Sequence, residues 1–338
     1  MTHINQERLV EHFCQLVRID SESKNEKQIA ETLAEQLGEL GFTVHKLPVP
    51  EHISNGFNVY ARLDGKKDGS ILMSCHMDTV TPGIGIEPLI EDGIIRSKDH
   101  TILGGDDKSG IAAIMEAVRC IQAENREHKT LELAFTVYEE GGLFGSQYFD
   151  MSHVTSTEAI VLDTGGPIGT IVTAAPGQQK IMAKIKGRPA HAGLAPEEGI
   201  SAIMVAADAI NQMKLLRIDE ETTANIGMVN GGQATNIVMP ELKIVAEVEI
   251  ESSRAYDAFV IEENHPHVNA IKTAFSELGI DAFTKGTGGG SDANNFNKKG
   301  LTTVNLSTGM AKVHTTEEFI AVSDMVKITE FVKHFLVS

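Results

Sequence analysis

Cysteine is scarce in this sequence, positive charge is short, and long apolar runs are missing. Only Cys14, Cys75 and Cys120 occur in 338 residues. They are odd in number and show no paired spacing, which argues against a disulfide framework and fits a reducing cytoplasm. Cys75 adjoins His76, but neighbours along a strand point to opposite faces. It therefore reads as a small buried apolar residue rather than a ligand. The 29 lysines and arginines face 47 acids, giving a formal charge of −18. That balance argues against nucleic acid and anionic membrane as partners. Residues 1–13 lack the apolar core of a signal peptide, and no apolar run is long enough to span a bilayer. There is no Gly-x-Ser-x-Gly elbow for serine catalysis and no Walker-type phosphate loop.

Hydrophobic residues make up 41% of the chain, enough for a sizeable core in one large or two ordinary domains. Helical periodicity covers 8–17 and 28–40, and Gly41 stops the second helix. Residues 42–45, 58–63 and 70–74 read as strands, the last nearly all apolar as in a strand covered on both faces. The stretch 79–105 is loop-rich, 108–122 a helix, 131–138 a strand and 160–162 a short buried strand. The pattern changes near Ala175-Pro176-Gly177. A helix at 199–213 among strands at 181–185, 224–229 and 243–249 suggests a small α+β insertion. The main pattern resumes near Phe259, with a helix at 268–278, a strand at 301–305 and a closing helix at 319–335.

Three of the buried strands lead into candidate ligands. One ends at His76, followed by Asp78; one ends at Glu139-Glu140; one ends at Asp163. In open α/β sheets, sites gather at the carboxyl ends of strands. Asp106-Asp107 opens the helix at 108–122, and His314 precedes the closing helix. Each of these has an ordinary reading as a helix cap, an acidic turn or a solvated histidine. Together they form a set of hard oxygen and imidazole ligands for two divalent ions. Charge favours the joint reading: Asp106, Glu140 and Asp163, packed without cations, would repel and resist ionising. Two imidazoles with carboxylates suit zinc best, with cobalt or manganese as substitutes. At Glu139-Glu140 one glutamate is expected to bind metal while its neighbour faces the attacking water. A carboxylate at Asp78 can hold the His76 ring by its other nitrogen. The run 286–291, rich in glycine, reads equally as a backbone anion cradle or a flexible loop.

With these residues assembled, the chain resembles the M20 metallopeptidase family, most closely its peptidase T (tripeptide aminopeptidase) branch. The matching stretches are Ser74-Cys75-His76-Met77-Asp78-Thr79-Val80, residues 103–113, Glu139-Glu140-Gly141-Gly142, Leu162-Asp163 and His314-Thr315-Thr316-Glu317-Glu318. The resemblance implies an α/β catalytic domain, a mixed twisted sheet with helices on both faces, formed by 1–176 and 257–338. It implies a smaller α+β lid and dimerisation domain inserted at 177–256. It further implies that Asp106 bridges two zinc ions, with His76 and Asp163 on one and Glu140 and His314 on the other. Asp78 would orient His76, and Glu139 would be the general base. His191, in Gly187-Arg188-Pro189-Ala190-His191-Ala192-Gly193, would reach a partner subunit's site, and Asn236 would be a second lid contact. Gly289, Ser291, Asp292 and Asn294 match a substrate-side loop. The implied protein is a cytoplasmic homodimer that removes N-terminal residues from short peptides.

One departure concerns the lid. Ala246-Glu247 runs directly into Val248-Glu249-Ile250-Glu251, where the family pattern has a further helix with its flanks and an arginine that grips a substrate carboxylate. Either the lid is reduced or chain is missing there, which a break between Glu247 and Val248 would reveal. Arg254 is not assigned the arginine's role. The alternatives are another M20-type amidohydrolase (carboxypeptidase, dipeptidase or N-acyl amino acid deacylase) and a peptide-binding protein without turnover.

Overall fold

The computed structural model describes residues 4–220, 222–250 and 256–338. The chain divides into two compact units, Met1–Ala175 with Phe259–Ser338, and Pro176–Ala258. The first begins with helices α1 (Gln6–Val17) and α2 (Lys27–Glu39) and strands β1 (Thr43–Pro48), β2 (Phe57–Leu63) and β3 (Ser70–His76). Next come β4 (Pro88–Glu91), β5 (Ile94–Ser97), α3 (Gly105–Ala123), β6 (Thr130–Thr136), α4 (Phe144–Tyr148), β7 (Glu158–Thr164) and β8 (Thr170–Ala175). The second unit holds β9 (Gly177–Lys186), α5 (Ala202–Asn211), β10 (Leu216–Arg217), β11 (Thr223–Gly231) and β12 (Glu241–Ile250). The chain then returns through β13 (Phe259–Val260), α6 (Pro266–Glu277), β14 (Phe283–Gly286) and α7 (Asp292–Lys298). It ends with β15 (Thr302–Ser307), β16 (Phe319–Ala321) and α8 (Val322–Val337).

A nine-stranded mixed sheet orders its strands β1-β2-β6-β3-β7-β15-β8-β13, with β14 joined to β8. At its centre β6, β3, β7 and β15 run parallel. Every residue of β3 and β6 after the first is buried, which is why β3 reads as a nearly continuous apolar run rather than an alternating one; β6 carries the buried Glu132 in its run. Because β6, β3 and β7 are parallel neighbours, their carboxyl ends lie side by side. Helix α3 packs on β3 and β7, and α1 and α8 pack on α3. The approach is closest at Gly110, where a Cβ would stand 2.7 Å from Cys75 Sγ and 2.9 Å from Leu162 Cβ. A larger residue there would push the helix off the strand ends that carry the candidate ligands. Among the described residues, no helix is long and apolar enough to cross a membrane.

Several elements differ from the expectations drawn from sequence. The stretch 79–105 contains the hairpin β4–β5, and residues 319–321, expected to begin the closing helix, form β16 instead. These three strands make a small separate sheet ordered β16-β5-β4. β4 is mostly exposed, so its sequence carries no clear alternation, and β16 finds its partner more than two hundred residues upstream. Helix α7 follows directly on the glycine-rich run.

His12, buried on α1, yields a stability prediction. Its Nε2 faces Gln36 Oε1 at 2.8 Å and its Nδ1 faces Arg119 at 3.3 Å. Burial pushes its pKa down to about 4, against an opposing bond to Gln36. The unfolded chain therefore takes up this proton at higher pH than the native one, and stability falls as pH drops from about 6.5 towards 4. In urea unfolding of the metal-free protein, His12→Leu should lose about 2–3 kcal/mol less stability than the parent between pH 7 and pH 4.5. Equal losses in the two proteins would contradict a buried neutral His12.

The second unit is a four-stranded antiparallel sheet ordered β10-β11-β12-β9. Helix α5 lies on β9 and β12, closing a small core of Ala202, Ala206, Leu242 and Ile244. β12 pairs with β9 along its whole length, with Glu247 opposite Lys180 and Val248 opposite Gln179. The strand thus passes Glu247–Val248 without a break. Arg254 lies outside the described residues.

Candidate metal centre

The last residue of β3, His76, is held by Asp78, two positions further along the chain. The His76 Nδ1 lies 2.9 Å from the Asp78 main-chain carbonyl and 3.4 Å from the Asp78 carboxylate. With Nδ1 as donor, Nε2 is left facing the carboxylates. It sits 2.9 Å from Asp106 Oδ1 and 3.7 Å from Asp163 Oδ1. From the other side, His314 Nε2 lies 3.2 Å from Asp106 Oδ2 and 2.9 Å from Glu140 Oε1. Asp106 thus offers one oxygen to each imidazole. His314 has a left-handed backbone, φ +62°, a conformation that non-glycine residues adopt mainly where surroundings enforce it.

One ring nitrogen cannot direct a single N–H at two carboxylates. Proton distribution shows the same shortage of positive charge. His314 is pushed up to about 10 by its bonds to Asp106 and Glu140. For His76, burial acts downward, but bonds to Asp106 and Asp78 outweigh it and raise the pKa well above the usual range. Burial, followed by the charge of Asp106, pushes Glu140 and Asp163 up. Asp106 itself is held low by the two imidazoles despite its burial. Imidazoles that keep extra protons beside acids that resist ionising mark a cluster short of cations. Divalent ions would take the place of those protons, so the residues present fit such ions. Ligand atoms of His76, Asp106 and Glu140 lie within 4.8 Å of one another, as do those of His76, Glu139 and Asp163.

Glu139 is only 7% exposed, yet it lines the same cleft of about 170 Å³ as Asp106, Glu140, Asp163 and His314. Burial pushes its pKa well above the usual range; Glu140, Asp292 and Asp78 add to the shift and His76 opposes it. The Asp78 carboxylate does more than face His76. It accepts the Glu139 N–H at 2.9 Å and the Glu140 N–H at 3.2 Å, and Ser23 donates to it at 2.7 Å.

Sequence reasoning gave no role to Glu318, which is buried. Its carboxylate accepts the N–H groups of Leu103, Gly104 and Asp106 at 2.8, 2.9 and 3.1 Å. It therefore fixes the loop that delivers Asp106. Asp107 accepts the His76 N–H at 3.3 Å. Glu318 closes the motif that begins at His314, but nothing in its spacing announced three main-chain donors from a distant loop.

The remaining candidates are distributed over both units. Gly289 is exposed, and its neighbour Gly290 lines the cleft. Ser291, Asp292 and Asn294 are buried and serve the start of α7. Ser291 N–H donates to Asn294 Oδ1 at 3.0 Å, and Asp292 accepts from the Thr136 hydroxyl at the end of β6. His191 and Asn236 belong to the second unit, both exposed. Their segments are adjacent there: Ala192 N–H donates to the Asn236 carbonyl at 2.9 Å, and the His191 ring accepts from Gly193 at 3.2 Å.

Comparison with known proteins gives concordant matches. The model of peptidase family M20/M25/M40 matches residues 72–338. The structure of an aminopeptidase PepT from Bacillus cereus ATCC 10987 is 40% identical, with a TM-score of 0.85 and 98% of both chains covered. A tripeptidase structure from Staphylococcus aureus subsp. aureus Mu50 is 34% identical, with a TM-score of 0.92 and 98% of both chains covered. The uncharacterised protein YqjE of Bacillus subtilis (strain 168) is 39% identical, with 97% of both chains covered. That alignment spans 361 residues, more than the 338 of this chain, so YqjE carries residues without a counterpart here.

Proposed function

This chain belongs to peptidase family M20/M25/M40 and is a metallopeptidase resembling peptidase T; from that premise we propose that it is a dinuclear aminopeptidase releasing the N-terminal residue of tripeptides. The observation that carries the reading is Asp106 set between two imidazoles, one oxygen to each, with Glu140 and Asp163 alongside. His76, Asp106 and Asp163 would hold one zinc ion, and Glu140 and His314, with Asp106, the other; cobalt or manganese could substitute. When bound, such ions supply Lewis acidity, drawing charge from a carbonyl oxygen and making a water easier to deprotonate.

The chain's own groups do the rest. Glu139 takes a proton from the attacking water as its oxygen adds to the scissile carbonyl carbon. The C–N bond then breaks, and the proton held on Glu139 passes to the leaving amine nitrogen. Asp78 keeps His76 oriented and holds the Glu139-Glu140 turn through two main-chain N–H groups. Gly289 and the loop to Ser291, Asp292 and Asn294 form the substrate side, through main chain where side chains are buried. His191 and Asn236 complete the oxyanion and substrate contacts from the second unit, His191 in the partner subunit's site. The exposed Ile203, Met204 and Val205 of α5 are an apolar patch that a second copy would cover, which supports a homodimer. We place the enzyme in the cytoplasm, where three free cysteines suit a reducing compartment.

A second reading has its own observation. β12 stays in register with β9 through Glu247 and Val248, so no helix carrying a carboxylate-gripping arginine is inserted there. That would favour another amide substrate, as in M20-type dipeptidases, carboxypeptidases or N-acyl amino acid deacylases. The test is a panel of tripeptides, dipeptides and N-acyl amino acids assayed with the zinc-loaded protein. We expect tripeptides with a free N-terminus to have the highest kcat/KM, by about tenfold or more, a difference of about 1.4 kcal/mol in transition-state binding. A preference for N-acyl amino acids would replace the first reading with the second. Stable metal loading without turnover of any member would leave a peptide-binding protein.

A further inference from the structure

We propose that Glu26 is a positioning residue for the acid turn, setting the place of the Glu139 carboxylate through the main chain without touching substrate. The proposal rests on the reading of Glu139 as base.

Strand β6 ends at Thr136, and the next four N–H groups find no neighbouring strand. Each is taken by a side-chain oxygen. Val137 donates to Asn58 Oδ1 at 3.0 Å, Tyr138 to Glu26 Oε1 at 3.0 Å, Glu139 to Asp78 Oδ1 at 2.9 Å and Glu140 to Asp78 Oδ2 at 3.2 Å. Side chains therefore replace the ladder where the chain must leave the sheet and present Glu139. Glu26 holds the second place in that row, next to the base.

Two features make this place demanding. Tyr138 has a left-handed backbone, φ +46°, which a large non-glycine residue adopts only when its surroundings hold it. Its ring also covers Gly141, where a Cβ would stand 1.8 Å from a ring carbon. Glu26 is fully buried and ties this residue to two distant segments. Oε1 also accepts the Lys24 N–H at 2.8 Å, and Oε2 accepts the Ser54 hydroxyl. Lys24 in turn places its ammonium 5.2 Å from the centre of the Tyr138 ring. Only a group with several acceptor sites can serve three donors from three parts of the chain. Removing it strands buried donors beside the turn, and a small shift in a reacting group costs rate steeply.

The test compares Glu26→Ala, Glu26→Asp, Glu26→Gln and Ser54→Ala with the parent as zinc-loaded full chains. The substrate is whichever panel member the parent turns over fastest. Measured quantities are kcat, KM, metal per chain and Tm. Glu26→Ala should lower kcat about 10–100-fold, with KM within about twofold and metal content unchanged. Glu26→Gln keeps one oxygen for the Tyr138 N–H and should recover most of the loss. Ser54→Ala removes a partner of the same carboxylate away from the turn and should lower Tm while leaving kcat within about twofold. If Glu26→Ala does not fold, Glu26→Asp decides, since one methylene less withdraws the oxygen from Tyr138 while keeping a carboxyl group. A tenfold or larger loss of kcat in folded, fully loaded Glu26→Asp supports the proposal. Wild-type kcat in loaded Glu26→Ala or Glu26→Asp, or a loss that only tracks lost metal, overturns it. Glu139→Gln measured in parallel separates the two ideas. An active Glu139→Gln defeats the base reading itself, whereas an inactive Glu139→Gln beside an active Glu26→Ala defeats only the role of Glu26.

Discussion

Glu139→Gln should fold, keep two divalent ions per chain and lose about 10²–10⁴-fold in kcat, the usual contribution of a positioned acid–base group. Glutamine matches glutamate in shape, so the turn and its N–H bonds to Asp78 stay in place. What goes is the capacity to take a proton from water and give it to the leaving amine. KM should change little if Glu139 acts only as the bond breaks. Metal analysis and steady-state kinetics on the same preparation check this. Turnover within tenfold of the parent, at full metal loading, would assign the base elsewhere; Asp163 would then be the next residue to examine, since it shares a ligand group with Glu139 and His76.

Asp106→Asn addresses the pair of ions rather than the proton. The variant keeps its own N–H bond to Glu318 and its side-chain volume, so the loop should remain. It removes the charge and leaves one acceptor oxygen where His76 and His314 now face two. We expect the chain to drop from two bound ions to at most one after dialysis, and activity to fall by about 10³-fold or more, as when one of two clamping ions is lost from a displacement site. Supplying excess zinc should restore little of it. Two ions retained at parental affinity would show that Asp106 does not bridge them.

Much of this was legible in the residues themselves. The apolar runs of β3 and β7 and the strand pattern of β6 announced buried strands, with a candidate ligand at the end of β3, three residues beyond β6 and next to last in β7. Asp106-Asp107 before a helical pattern marked the mouth of α3, whereas the close approach of Gly110 to Cys75 and Leu162 came only with the fold. A local pattern can indicate burial because strand and helix periods are short compared with the window being read. Strands without such a pattern, β4 and β16 among them, escaped.

The amino-acid order by itself pointed to the kind of chemistry: five candidate metal ligands and an adjacent acid, in a chain whose acidity argues against nucleic acid and whose three cysteines argue against a disulfide scaffold. Tertiary structure alone decided how those groups are held. Glu318 serves donors more than two hundred positions away, and Glu26 one more than a hundred away. Spacing along a chain carries no information about such pairs, because a buried carboxylate is matched to whatever orphaned N–H the fold brings within about 3 Å of it.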